Sequence, residues 1–124
     1  MQLSQENPDF SFVLRGTTAT TVLVNQQSLD ASFVLAPDQL LENWGPASVD
    51  ALEPSHMDTL LALKPSVAIL GTGPRQRFPS AAVMAAMLTR GVGLEVMDNA
   101  AAARTFNVLA TEGRKVVAAF LLPG

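Results

Sequence analysis

The seven residues Val116–Leu122 carry no polar side chain. A strand with one wet face alternates apolar and polar residues, and this run does not. A membrane helix needs about 18 or more apolar residues, so the run cannot span a bilayer. What remains for so short a stretch is a strand buried on both faces, at the centre of a sheet covered by helices. The residues before it supply the cover. Val67–Leu70 is a second continuous apolar run, closed by Gly71, and Leu94–Met97 reads as a third strand. Between them, Ser80–Arg90 places Val83, Met84, Met87 and Leu88 at helical spacing, with Gly91 at the end. Asp98 or Asn99 caps a helix running to about Thr111, with Ala102, Phe106, Leu109 and Ala110 facing inward and Gly113 just past its end. A shorter helix capped by Ser55 carries Met57, Leu60, Leu61 and Lys64 and stops at Pro65. Strands alternating with helices imply right-handed crossovers and parallel neighbours.

The first half has a different period. Phe10, Phe12 and Leu14 alternate with Ser11, Val13 and Arg15, the pattern of a half-buried strand. Thr20–Val24 and Leu29–Leu35 follow, joined through Asn25–Ser28 as a β-hairpin with Ser28, Asp30 and Ser32 on its wet side. A further short strand is expected near Ala47–Val49. This hairpin cannot join the sheet by crossover, so it packs beside or across it. The expected architecture is a single α/β domain over residues 1–124, three-layered, with a β-hairpin addition at the N-terminal side.

Composition narrows the function. The chain has 124 residues, 48% of them hydrophobic and only 15% charged, which excludes a charge-rich disordered segment. Cysteine and tyrosine are absent and His56 is the single histidine, so thiolate chemistry, cysteine-ligated metals and histidine clusters are excluded. No cofactor and no metal are expected. With a net charge of −3, neither nucleic acid nor an anionic membrane is an expected partner. The average conceals an asymmetry: residues 1–63 hold eight acids against one base, and residues 64–124 hold seven bases against three acids. The opening residues show no basic, apolar signal pattern, and a soluble, cytoplasmic protein without membrane insertion is expected.

Motifs for specific chemistry are thin. Gly71-Thr72-Gly73 follows a buried strand, where a dinucleotide fingerprint would sit, but Gln76 stands where the third glycine belongs. Pro74 and Pro79 also keep a helix from starting there. No Gly-x-Ser-x-Gly elbow accompanies His56, which reads as a capping or solvated residue. What does converge is position. Gly71–Gly73 ends one inner strand and Asp98-Asn99 ends its parallel neighbour, at the same edge of the sheet, with Arg104 and Asn107 further along the helix. Thr72, Gly73, Asp98, Asn99, Arg104 and Asn107 are therefore the expected cleft, suited to a small anion or to an acidic side chain of a partner. Thr105 is expected to bond a carbonyl one turn back.

The series Ile69–Gly73, Val96–Asp98, Arg104–Leu109 and Glu112–Val116 resembles a family of small proteins. It includes the mitochondrial respiratory complex I assembly factor 3 and bacterial and archaeal relatives. The likeness covers the last two-thirds of the chain and implies a central mixed five-stranded sheet. It also implies a non-catalytic interaction or assembly module with another protein as partner. The alternative from the residues themselves is a small-ligand or anion-binding protein, or a weak enzyme, using the Gly71–Gly73 loop and the Asp98–Asn107 helix start. Asn99, Ala103 and Phe106 stand where the family pattern has threonine, cysteine and tyrosine, so chemistry needing that thiol or phenol could not run here.

Overall fold

The computed structural model describes residues 12–124. Five strands form the main sheet, in the spatial order β5 (Gln39–Leu41), β4 (Ala31–Ala36), β8 (Val116–Pro123), β6 (Val67–Gly71), β7 (Leu94–Met97). The apolar run near the C-terminus is thus the central strand. It pairs in parallel with β6 and antiparallel with β4, and β6 pairs in parallel with β7, so the sheet is mixed. Three further strands, β1 (Leu14–Thr17), β2 (Val22–Val24) and β3 (Gln27–Leu29), form a separate antiparallel sheet. The helices are α1 (Met57–Ala62), α2 (Ala81–Leu88) and α3 (Asn99–Thr111).

Strand alternation divides the core in two. From β8, Val116, Ala118, Phe120 and Leu122 point to one face, where they meet Phe33 and Leu35 of β4, Ile69 of β6 and Phe106 of α3. Leu14, Val22, Val24 and Leu29 of the small sheet close over this same cluster. Val117, Ala119 and Leu121 point the other way, against Met57 and Leu60 of α1 and Val83 and Met87 of α2. Phe33 and Phe120 stack at 5.0 Å between ring centroids, within the range of favourable offset pairs. The result is three layers: the small sheet with α3, the main sheet, and α1 with α2.

The helix ends follow their sequences. The Ser80 hydroxyl accepts the Val83 N–H and the Asp98 carboxylate accepts the Ala101 N–H, each supplying one acceptor to a helix start. Along α2, Val83 and Met87 are buried, whereas Leu88 lies outside the stripe and is exposed.

Several expectations need correction. Leu29–Leu35 is not one strand: it breaks at Asp30, giving β3 to the small sheet and β4 to the main one. Its wet side does not persist either, because the β4 face that carries Val34 and Ala36 packs against α1 and α2, and Ser32 is buried. The β4–β8 register slips between Ala31 and Phe33, and there the Ser32 hydroxyl replaces the backbone ladder. It accepts the Leu122 N–H at 2.8 Å and donates to the Leu122 carbonyl at 3.2 Å. Residues 47–49 form no strand, and Val49–Ala51 is a 3-10 turn. Ser55 is not the helix cap; it lies inside a second 3-10 turn, Pro54–His56, that runs into α1. α1 ends at Ala62, before Lys64, which takes φ 54° ahead of Pro65. The strand expected over residues 10–15 begins outside the described residues; its described part enters β1, displaced toward Thr17.

Candidate functional site along the seam between the sheets

The carboxyl ends of β6 and β7 and the start of α3 meet at Asn99, a side chain only 1% exposed. Its Oδ1 accepts the Gly73 N–H at 3.0 Å, and its Nδ2 donates to the Leu121 carbonyl at 3.1 Å. Its own backbone N–H donates to the Gly73 carbonyl at 2.8 Å. One amide thereby ties the end of β6, the end of β8 and the first turn of α3 together. Gly71 makes the arrangement possible: a Cβ there would collide with the Asn99 Oδ1 and press on Phe120 and Ala102. Gly73 turns the chain with φ +96°, a conformation that side-chain-bearing residues rarely adopt.

Thr72 fixes the loop that follows. Its hydroxyl donates to the Arg75 carbonyl at 2.6 Å and accepts the Arg77 N–H at 3.1 Å. The Gln76 Nε2 donates to the Val96 carbonyl at 2.8 Å, which holds the loop against the edge strand β7. Arg77 reaches across to Asp50 at 3.0 Å, joining the basic half of the chain to the acidic half. Both of these side chains are half or more exposed, where an ion pair contributes little.

Asn107 is occupied in a different way. Its Oδ1 accepts the Leu14 N–H at 3.0 Å and its Nδ2 donates to the Leu14 carbonyl at 2.7 Å. The side-chain amide thus mimics a strand neighbour and fastens β1 to α3. The Thr105 hydroxyl makes no hydrogen bond among the described residues, contrary to its expected bond one turn back. Arg104 is exposed and makes no ion pair or side-chain hydrogen bond among the described residues.

These residues lie along one seam. A depression of about 180 Å³ is lined by Gly16, Ala100, Arg104 and Asn107 among others. The next, of about 280 Å³, shares Thr17 and Ala100 with it and adds Asp98 and Asn99. The third, of about 660 Å³, shares Ala19, Gly73 and Pro74 with the second and adds Thr72, Arg75 and Arg77. The shared lining makes a continuous trough between the β1–β2 turn on one side and α3 with the β6–α2 loop on the other. A separate hollow of about 400 Å³, near Asp38 and Arg114, lies where β8 begins and gathers none of the expected site residues.

Sequence reasoning missed the opposite wall, Thr17–Ala19 and Ala47–Val49. The threonine-rich stretch 17–21 was the available signal: the Thr18 hydroxyl accepts the Thr21 N–H at 3.0 Å and closes the β1–β2 turn. Arg15 was also missed. The β1–β2 register slips between Leu14 and Gly16, leaving Arg15 as the extra residue of a bulge, a device that re-aims a side chain.

His56 stands away from the seam, beside Trp44, with its Nδ1 accepting the Glu53 N–H at 2.9 Å. Among the described residues no three His, Asp or Glu side chains converge where they could hold a metal ion. No described helix is long and apolar enough to cross a membrane.

The fold and the seam define a small α/β protein in which an antiparallel sheet, clasped to α3 by an asparagine, borders a polar trough on a mixed five-stranded sheet. The chain belongs to the family of proteins of unknown function DUF498/DUF598, whose profile matches residues 14–121. It is similar to NADH dehydrogenase (ubiquinone) 1 alpha subcomplex assembly factor 3 of Danio rerio, with 37% identity over 90 residues covering 73% of this chain and 52% of that protein. It is also similar to the 13 kDa major membrane protein of Francisella tularensis, with 26% identity over 95 residues covering 76% of this chain and 77% of that one. The chain spans 52% to 66% of the length of the vertebrate assembly factors it matches. Among solved structures, the NMR structure of a Xanthomonas campestris protein superposes with a TM-score of 0.85 at 55% identity, covering 100% of this chain and 94% of that one.

Proposed function

We propose that the protein is a non-catalytic interaction module that helps assemble a protein complex, working in the cytoplasm as a single domain. The observation that carries this reading is the use to which the polar side chains of the seam are put. Thr72, Asp98, Asn99 and Asn107 each spend hydrogen-bonding capacity on backbone groups of the fold. A nucleophile needs an adjacent base within hydrogen-bond reach, and His56 is engaged elsewhere. The similarity to complex I assembly factors supports a protein partner. In-cell crosslinking and capture of the tagged full chain tests it, with recovery of a discrete protein in constant ratio expected. Recovery of none would refute the proposal.

The alternative is a small-anion or small-ligand binder at the Gly71–Gly73 loop. It is favoured by the 660 Å³ cavity at the carboxyl ends of β6 and β8, a size usual for small-molecule sites. A metabolite thermal-shift screen that gives a saturable rise in melting temperature, with no protein captured, would establish it instead.

A further inference from the structure

We infer that the trough receives an extended acidic segment of a protein partner, laid between the β1–β2 turn and α3. This rests on the interaction-module reading and adds the chemistry and conformation of what is bound. The first ground is shape. Three hollows joined end to end through Thr17, Ala100, Ala19, Gly73 and Pro74 suit a chain better than a compact ligand.

The second ground is charge at the two ends. Arg15 and Arg104 line the end near α3, and neither has an ion-pair partner among the described residues. Arg75 and Arg77 line the other end, and among the described residues Arg77 is paired, with Asp50, whereas Arg75 is not. The acid lining the middle, Asp98, has its carboxylate turned to the Ala101 N–H. A ligand with carboxylates at both ends and small, uncharged side chains between them matches this order. Guanidinium groups favour it because their planar fork engages a carboxylate through two bonds.

The third ground is the missing bulk along the floor. Gly16, Ala100 and Ala103 carry little or no side chain where β1 and α3 approach one another, so a backbone can come close.

The test uses the isotope-labelled full chain and a synthetic peptide with two glutamates at each end and four alanines between them, about eight residues or roughly 26 Å when extended. The lysine–alanine peptide, N-acetylglutamate amide and inorganic phosphate are the comparisons. Saturable amide-shift changes are expected at both ends of the trough, at Gly16–Thr18 and Ala100 and again at Gly73–Arg77. Affinity should weaken with salt. Arg104→Glu and Arg75→Glu should each weaken the glutamate peptide about tenfold or more. Arg104→Gln and Arg75→Gln should do so to a smaller degree. Dispersed spectra of these exposed-site variants report that folding is retained.

Shifts confined to one end, with phosphate or N-acetylglutamate amide bound as tightly as the peptide, would mean a compact anion site and overturn the proposal. So would equal binding of the lysine peptide, or unchanged affinity in folded variants. The two readings fail separately. Variants that lose the peptide yet capture the same cellular partner would sink the trough and leave the module. Wild-type protein that binds the peptide along the whole trough but captures no partner would sink the module and leave the trough.

Discussion

Removing the Asn107 amide tests whether one side chain holds the small sheet to the rest of the molecule. In Asn107→Ala the Leu14 N–H and carbonyl lose partners at 3.0 and 2.7 Å, at a residue only 4% exposed. A buried donor or acceptor left without a partner costs about 1–3 kcal/mol. Asn107 is itself half-buried, so water replaces part of each bond, and the pair together cost about 2–3 kcal/mol. Alanine recovers roughly 0.6 kcal/mol of helix propensity within α3. The net loss is about 2 kcal/mol, a fall in melting temperature of roughly 6–12 °C for a domain of this size. Urea unfolding and calorimetry measure it, and amide exchange at Leu14 should accelerate in step. Asn107→Asp sharpens the test, because an ionised carboxylate accepts from the Leu14 N–H but cannot donate to its carbonyl. The protonated form can donate, so the folded state raises this carboxyl above the unfolded value of about 3.9. Stability gained from the proton is present below the unfolded pKa and lost as the pH rises through the folded one. The deficit of Asn107→Asp against wild type should therefore be largest at neutral pH and shrink in acid. A loss below about 0.5 kcal/mol in Asn107→Ala, within the ordinary range for surface changes, would refute the clamp, as would a deficit of Asn107→Asp that widens in acid.

Gly71→Ala should destabilise by about 3 kcal/mol or more, since overpacking costs about 1–3 kcal/mol and Asn99 must give up buried hydrogen bonds to make room. Adding Asn99→Ala should then cost far less than it does alone, and a double-mutant cycle in urea checks this; simple additivity would contradict the collision. Phe120→Ala, which removes a fully buried ring stacked on Phe33, should cost about 3–5 kcal/mol by denaturant unfolding. Asp50→Asn should change stability by less than about 1 kcal/mol, because the carboxylate paired with Arg77 is 81% exposed; a larger effect would show that the bridge anchors the 72–77 loop.

The second half of the fold was legible because each element there carries its own boundary. Val67–Leu70 ends at a glycine, α2 begins at a serine cap, α3 begins at an aspartate cap, and Val116–Leu122 has no polar face to expose. The break at Asp30 was not legible, for a physical reason. Leu29, Phe33 and Leu35 keep the same alternation across it and all reach the same core cluster, so the period continues while the partners change. Ser32 misled because a serine on an alternating strand reads as solvent-facing, whereas here it completes the β4–β8 ladder. β5 is three residues long, too short to show a period at all. At the site, the position of the β6 and α3 ends followed from parallel topology. The pairing of Asn107 with Leu14 spans 93 positions in the chain, and no local pattern announces such a contact.

The central place of β8 in the sheet sets the order in which the molecule can be built. β4 and β6 do not pair with one another; each pairs with β8, which comes after both of them and after α1, α2 and α3. Until residues 116–123 are synthesised, the ribosome-bound chain holds two halves of a sheet with the middle strand missing. Joining β4 to β8 closes a loop of some eighty residues or more, from Phe33 to Phe120, and such long-range pairing is slow compared with helix or hairpin formation. From their synthesis until residues 116–123 follow, β4 and β6 each therefore present an open edge, and unpaired edges of this kind recruit other strands. Insertion of that one strand, β8, completes the sheet and supplies side chains to both halves of the core at once.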